Sequence, residues 1–210
     1  MVLVCDLGFC WYDSLGLQDL ARSNNETART SLISTAPVSL EKRDDTCPEY
    51  LAGRNFQAPH LILPVDYLQP NKAFDTQYTI NISPWRAFFL TFDIPQKDAG
   101  SRCILKLLLP TKEQLTESSV RLQGQRVCFY PVEYPPSAGK TSASNTPQKS
   151  GEMVCLNSIQ LGHSYQILDQ PCPAGSAVSY KMVSPDTWLD FFQHSGACPI
   201  GVYMIIEPRK

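Results

Sequence analysis

The chain has 210 residues, with 18 Lys and Arg against 20 Asp and Glu, a formal net charge of −2. That length supports one substantial domain, and no apolar run reaches the roughly 18 residues a membrane-spanning helix needs. The basic residues are scattered without a stripe, which argues against a nucleic acid or an anionic membrane as partner.

The first 43 residues read as a leader or propeptide-like disordered tail. "MVLVCDLGFCWYDSLGL" has no Lys or Arg before Arg22, and Asp6 and Asp13 interrupt its apolar run. A signal peptide wants a positive start and an unbroken apolar core, so this is a poor one. "ARSNNETARTSLISTAPVS" is polar and lacks periodicity. Lys42–Arg43 then stands just before Asp44, where a secretory propeptide would be cut. A propeptide without an intact leader is a conflict: either the start is misassigned, or the chain is not conventionally exported. The expected organisation is a tail over 1–43 and a domain over 44–210.

From Cys47 onward, apolar residues recur with period two between Pro and Gly punctuation. Strands are expected at 60–65 and 76–83. "RAFFLTFDIP" then sets Phe88, Leu90, Phe92 and Ile94 on one face. "RCILKLLLP" does the same with Cys103, Leu105, Leu107 and Leu109. Weaker strands follow at 119–123, 126–132, 153–161 and 163–168. "SAVSYKMV" aligns Val178, Tyr180 and Met182, and "PIGVYMII" aligns Ile200, Val202, Met204 and Ile206. "TKEQLTES" suits a single helical turn. "DTWLDFFQ" suits a strand better than a short helix. Segment 135–151, nearly free of large apolar residues, is expected to be a long exposed loop. About ten short strands with no room for crossover helices predict an all-β fold, a single antiparallel β-sandwich.

The chain has eight cysteines. None sits in a CxxC pair, and His60, His163 and His194 lie far apart, so zinc-ligand spacing is missing. Dispersed cysteines fit disulfides in an oxidising compartment. Six lie after Arg43, and six cysteines allow about fifteen connectivities. Cys103 points inward with Leu105 and Leu107, and Cys172 precedes a strand, which favours Cys103–Cys172. Cys128 and Cys155 flank the long loop and form the second choice. Cys47 and Cys198 remain by parity.

No GxSxG, HExxH, P-loop or GxGxxG motif occurs, and nothing calls for a cofactor or metal. Asp66, Asp93 and Asp186 sit at strand ends, where a paired-carboxylate hydrolase would place them. Aspartate at a turn more often bonds its own backbone. His60 reads as a hydrogen-bonded rim residue rather than a base. Trp85, Trp188, Tyr78, Tyr130, Tyr134 and Tyr203 could offer stacking faces to sugars. Trp85 is the better candidate, while Trp188 beside Phe191 and Phe192 is expected in the core. Two glycosylation triplets occur, at Asn25 in the tail and at Asn81. Asn81 alternates with Ile80 and Ile82 and should point outward, though Pro84 just after the triplet disfavours modification.

The phrases "CPEYL", "PHLILPVD", "FDIP", "LLLPTKEQL", "LGHSYQI", "PCPAGSAVSYKM" and "CPIGVYM" resemble, in this order, the fungal But-two C-terminal-like domain family, labelled after a ubiquitin-three-binding protein. The resemblance spans roughly residues 47–206. It implies a small secreted or cell-surface protein, with a leader and a dibasic site before the domain, and offers no catalytic residues. Cys47, Cys103 and Cys172 match the family; Cys128, Cys155 and Cys198 look like additions. The leader departs from the family pattern. Together these readings predict a secreted or cell-surface, disulfide-stapled binding or structural module. A cell-wall glycan or another surface protein is the expected partner. A small extracellular carbohydrate-active hydrolase and an intracellular protein-interaction domain are the alternatives. Oligomeric state is not legible.

Overall fold

A computed structural model describes residues 5–6, 9–10, 47–116 and 118–208. The chain divides into two units, Met1–Ala36 and Pro37–Lys210. In the first, strands β1 (Cys5–Asp6) and β2 (Phe9–Cys10) pair antiparallel, with Cys5 opposite Cys10. Strands this short leave no periodic trace in a sequence. Asn25, Lys42 and Arg43 lie outside the described residues.

The second unit is all-β. Its twelve strands are β3 (Phe56–Gln57), β4 (Leu61–Asp66), β5 (Thr79–Ile82), β6 (Arg86–Ile94), β7 (Arg102–Leu109), β8 (Val120–Gln123), β9 (Val127–Pro131), β10 (Val154–Leu156), β11 (His163–Pro171), β12 (Ser176–Val183), β13 (Trp188–Phe192) and β14 (Gly201–Glu207). They form three antiparallel sheets: five strands in the order β10-β9-β12-β6-β4, four in the order β11-β7-β14-β3, and three in the order β5-β13-β8. "TKEQLTES" makes one 3-10 turn at Lys112–Gln114. β3 has no counterpart in the sequence reading, because two residues cannot show an alternation.

Period-two alternation builds the sandwich. Phe88, Leu90 and Phe92 of β6 meet Leu105 and Leu107 of β7, Val202 and Met204 of β14, and Ile80, Leu189 and Phe191 of the small sheet in one buried core. The five-stranded sheet is one layer and the other two sheets share the opposing layer. Each fully buried Phe or Leu contributes about 1.5–3 kcal/mol of transfer free energy.

Both larger sheets also cover their second faces. Behind the four-stranded sheet, Ile104, Leu108, Tyr203 and Ile205 pack with Leu51 and Phe56 from the preceding segment. Glu49, on that segment, accepts from Lys106 Nζ at 2.8 Å and from Arg54 at 2.6 Å. Behind the five-stranded sheet, Leu63, Val65, Phe89, Cys128 and Tyr130 pack with Tyr67, Met153 and Ala143. Ala143 belongs to segment 135–151, which the sequence reading leaves as an exposed loop. In the structure Pro136, Thr141, Ser142 and Pro147 of that segment are buried. Its backbone bonds to the 67–76 segment, from Ser144 N to Pro70 O at 2.8 Å and from Gly139 N to Phe74 O at 2.9 Å. The segment lacks large side chains because it lies flat over a surface that already has them.

Lys181 of β12 faces this second core and is buried. Its Nζ lies 5.2 Å from the Phe89 ring centre and 5.4 Å from that of Tyr67. Burial pushes the ammonium down, but the Tyr67 and Tyr130 phenol oxygens outweigh it and hold Lys181 above the ordinary lysine range. A cation boxed by aromatic faces and hydroxyls keeps its charge without a carboxylate.

Three disulfides join the six cysteines of this unit: Cys47–Cys198, Cys103–Cys172 and Cys128–Cys155. Their sequence separations are 151, 69 and 27 residues. Gln193 ties the small sheet to β14: its amide donates to Val202 O at 3.0 Å, and its oxygen accepts from Val202 N at 2.9 Å. Gly201 has φ +122°, and a Cβ there would lie 2.0 Å from Gln193 Oε1, so only glycine lets that clamp close.

Two stability predictions follow from this arrangement. Replacing Cys47 and Cys198 by Ala costs about 2–5 kcal/mol in urea unfolding, and about 1–2 kcal/mol more than replacing Cys128 and Cys155, because the closed loop is longer. The second concerns Tyr180, whose phenol is pushed up to about 12 by burial, against the lowering effect of a hydrogen bond from Gln170. Unfolded, it loses its proton near pH 10. Between those values the folded state holds more protons, so stability is intact below about pH 10 and falls as pH rises toward 12. Unfolding free energies measured across that range should decline, and less steeply in Tyr180→Phe.

Candidate functional site

The three-stranded sheet differs from the other two in its second face. β13 reads Trp188-Leu189-Asp190-Phe191-Phe192. Alternation turns Leu189 and Phe191 into the core, at 0% and 1% exposure, and leaves Trp188 and Phe192 at 51% and 45%. Asp190 lies on the same outer side, midway between them. The register sets Gln123 opposite Trp188 and Arg121 opposite Asp190 on one flank, with Asn81 opposite Asp190 and Thr79 opposite Phe192 on the other. Tyr78 extends the row, its ring centre 6.2 Å from that of Phe192.

Trp85 reaches the same area from the β5–β6 hairpin. Reciprocal backbone hydrogen bonds between Ser83 and Arg86, each 3.1 Å, close the turn over Pro84 and Trp85. Tyr67 N donates to Trp85 O at 2.8 Å and Trp85 N to Ser83 Oγ at 3.3 Å, which pins the turn to the end of β4. The indole stands 44% exposed.

Trp85 and Trp188 line an open cleft of about 580 Å³, with Ile82 and Leu189 at its base. Asp66, Arg86, Arg121, Gln123 and Asp190 add polar groups. Two buried polar atoms in this cleft have no hydrogen-bond partner, Asn81 Oδ1 and Arg86 Nε. One is an acceptor and the other a donor. Leaving each unpaired costs about 1–3 kcal/mol, and both atoms are closed off from the open cleft. The Arg86 guanidinium is held over the rings of Phe74 and Phe88, 5.5 and 5.8 Å from their centres. It is therefore aimed by packing rather than by an ion pair.

The structure brings Asn81, Trp85 and Asp66 together at the cleft and leaves the other candidates elsewhere. Asp66 Oδ1 accepts from Leu68 N at 2.8 Å and shapes the turn after β4. Asp93 pairs with His60 at 3.0 Å on an exposed edge. Asp186 accepts from the Thr187 hydroxyl at 3.0 Å. Tyr130 and Tyr203 are core residues, while Tyr78 and Tyr134 are exposed. Among the described residues no three His, Cys, Asp or Glu side chains converge as a metal site would need. Trp188, expected in the core, stands on the surface, and Arg86, Arg121 and Asp190 escaped the sequence reading. A signal for Trp188 was present. Period two puts it on the face opposite Phe191, and Asp190 marks that face as the wet one.

The chain belongs to the family described as ubiquitin 3 binding protein But2 C-terminal domain, whose sequence model matches residues 57–196. The matched span holds every residue that lines the cleft. No curated protein sequence matches the chain.

The site should be separable from the scaffold. Trp85→Ala and Trp188→Ala should each shift unfolding free energy by no more than about 0.5 kcal/mol. Phe191→Ala, three residues from Trp188, should cost about 3–5 kcal/mol. Chemical denaturation of the three variants checks the contrast.

Proposed function

We propose that this But2-family domain is an exported, non-enzymatic binding module, and that the cleft between Trp85 and Trp188 takes carbohydrate. One observation carries the reading. Two exposed indoles flank a cleft that is also lined by the hydrogen-bonding residues Arg121, Gln123 and Asp190. A pyranose has an apolar face that packs on an indole and a rim of hydroxyls that donate and accept at once. Arg121 stands opposite Asp190 in register and Arg86 opposite Asp66, so positive and negative groups are balanced in number at the cleft, which suits a neutral glycan.

Export is supported by three disulfides in one domain, a chemistry that oxidising compartments allow. The Lys42–Arg43 pair, four residues before the first of those cysteines, suits removal of a prosegment there. No helix among the described residues is long and apolar enough to cross a membrane. A binding role is supported by the spread of Asp66, Asp93 and Asp186, each engaged locally. Stacking on one ring contributes about 0.5–1.5 kcal/mol, so a single sugar binds weakly and a polymer, with repeated contacts, more firmly.

The family description favours a second reading, a protein partner. A ubiquitin 3 binding protein gives the family its name, and exposed aromatics with arginines are also the composition of a protein interface.

Two measurements test this. Titration calorimetry of the domain made in a host that adds no N-linked sugar, with soluble β-glucan, mannan and chitin oligosaccharides, should show binding that Trp85→Ala and Trp188→Ala each weaken about tenfold or more. Binding to ubiquitin and to none of the sugars would replace the first reading with the second. Mass analysis of secreted material should find a chain starting at Asp44 with all six remaining cysteines oxidised. Full-length protein confined to the cytosol with free thiols would overturn export.

A further inference from the structure

We propose that Asn81 carries an N-linked glycan whose first sugar rings lie in the Trp85–Trp188 cleft, so that the modified chain fills its own binding site. This rests on the reading that the cleft takes sugar rings, and it adds which sugar reaches it first. Asn81-Ile82-Ser83 is an acceptor triplet. Ile80 and Ile82 are buried, at 0% and 1% exposure, so alternation turns Asn81 to the opposite, cleft-lining side. The register sets Asp190 opposite Asn81, and Trp188 stands two residues before Asp190 on the same face of β13. Trp85 follows four residues after Asn81, across the hairpin turn. A sugar on the Asn81 amide therefore starts between the two indoles.

The chemistry balances without a redox step. Nδ2 of Asn81 displaces the diphosphate at C1 of a glycosyl diphosphate donor. The Nδ2–C1 bond forms, the C1–O bond breaks, and the amide loses one proton. Oδ1 keeps its lone pairs. It is the buried atom of the amide, and the sugar grows from the other one. Tethering raises the effective concentration of the sugar to about the millimolar range, enough for a weak stacking site to stay filled. Transfer must precede folding, because Ser83 is 8% exposed in the closed hairpin and its hydroxyl accepts from Trp85 N.

N-linked glycans begin with N-acetylglucosamine, so a chain that cannot be modified should accept short chitin oligomers from solution. The test expresses the full chain behind a eukaryotic host's secretory leader, as wild type and as Asn81→Gln. Ser83→Ala is the second variant, since it removes the triplet and keeps Asn81. Peptide mass mapping should find sugar on the Asn81 peptide of the wild type alone. Acrylamide should quench less tryptophan emission in the wild type than in either variant. Chitotetraose should bind Ser83→Ala, which keeps the Asn81 side chain, and not the wild type. An unmodified Asn81 in secreted, folded protein would overturn the proposal and leave the cleft's function standing. So would a modified Asn81 with tryptophans as accessible as in the variants. Shielded tryptophans with a Ser83→Ala variant that binds no chitotetraose would support the tethered glycan and remove chitin-type oligomers as outside ligands.

Discussion

The central constraint on this domain is that its middle strands are apolar on both faces. β6 carries Phe88, Leu90 and Phe92 on one side and Ala87 and Phe89 on the other, all at 1% exposure or less. A simple sandwich covers one face of each sheet. The second face of β6 must find its own cover or expose a large apolar area, at about 25 cal/mol per Å². The same holds for β7 and β14, where Ile104, Leu108, Tyr203 and Ile205 lie behind the four-stranded sheet.

The covers are irregular chain rather than further sheets. The stretch around Leu51, with Phe56 at the start of β3, closes one side and the segment around Ala143 closes the other. Irregular backbone is a poor cover unless its polar groups are satisfied, and both covers are tied down by polar contacts. Glu49 receives Arg54 and Lys106 on the first. On the second, backbone bonds link 135–151 to the 67–76 segment, and Lys181 fills the space beneath with hydrogen bonds to Tyr67 and Tyr130. Cys47–Cys198 anchors the chain just before the first cover, and Cys128–Cys155 links edge strand β10 to its neighbour β9 beside the second. A disulfide here holds a thin layer in place as much as it shortens the unfolded chain.

Against that pattern the outer face of β5-β13-β8 stands apart. It too carries aromatic side chains, yet among the described residues none covers them. Trp188, Phe192, Tyr78 and Trp85 stay in water with Asp190, Arg121 and Asn81 between them. A clustered apolar patch rimmed by polar groups is how interaction surfaces differ from ordinary surface.

The longer strands, and the inward faces of β6, β7, β12 and β14, were legible without coordinates, because a pleated backbone repeats every two residues and Phe88-Leu90-Phe92 or Cys103-Leu105-Leu107 records that repeat directly. The all-β class and the lack of crossover helices follow from the same local rule. Which second faces would be covered was not legible. Ala87 and Phe89 alternate with the core residues in the same way that Trp188 and Phe192 do, yet the first pair is buried and the second is wet. The difference lies in segments distant in sequence: Ala143 packs against the cluster that holds Phe89, while Trp188 stays half exposed. Burial of that kind is a contact between far parts of the chain, and local periodicity carries no record of it. The cleft is of the same nature: Asp66, Asn81, Arg121 and Trp188 belong to four different strands, and only the order β5-β13-β8 beside the end of β4 makes them neighbours.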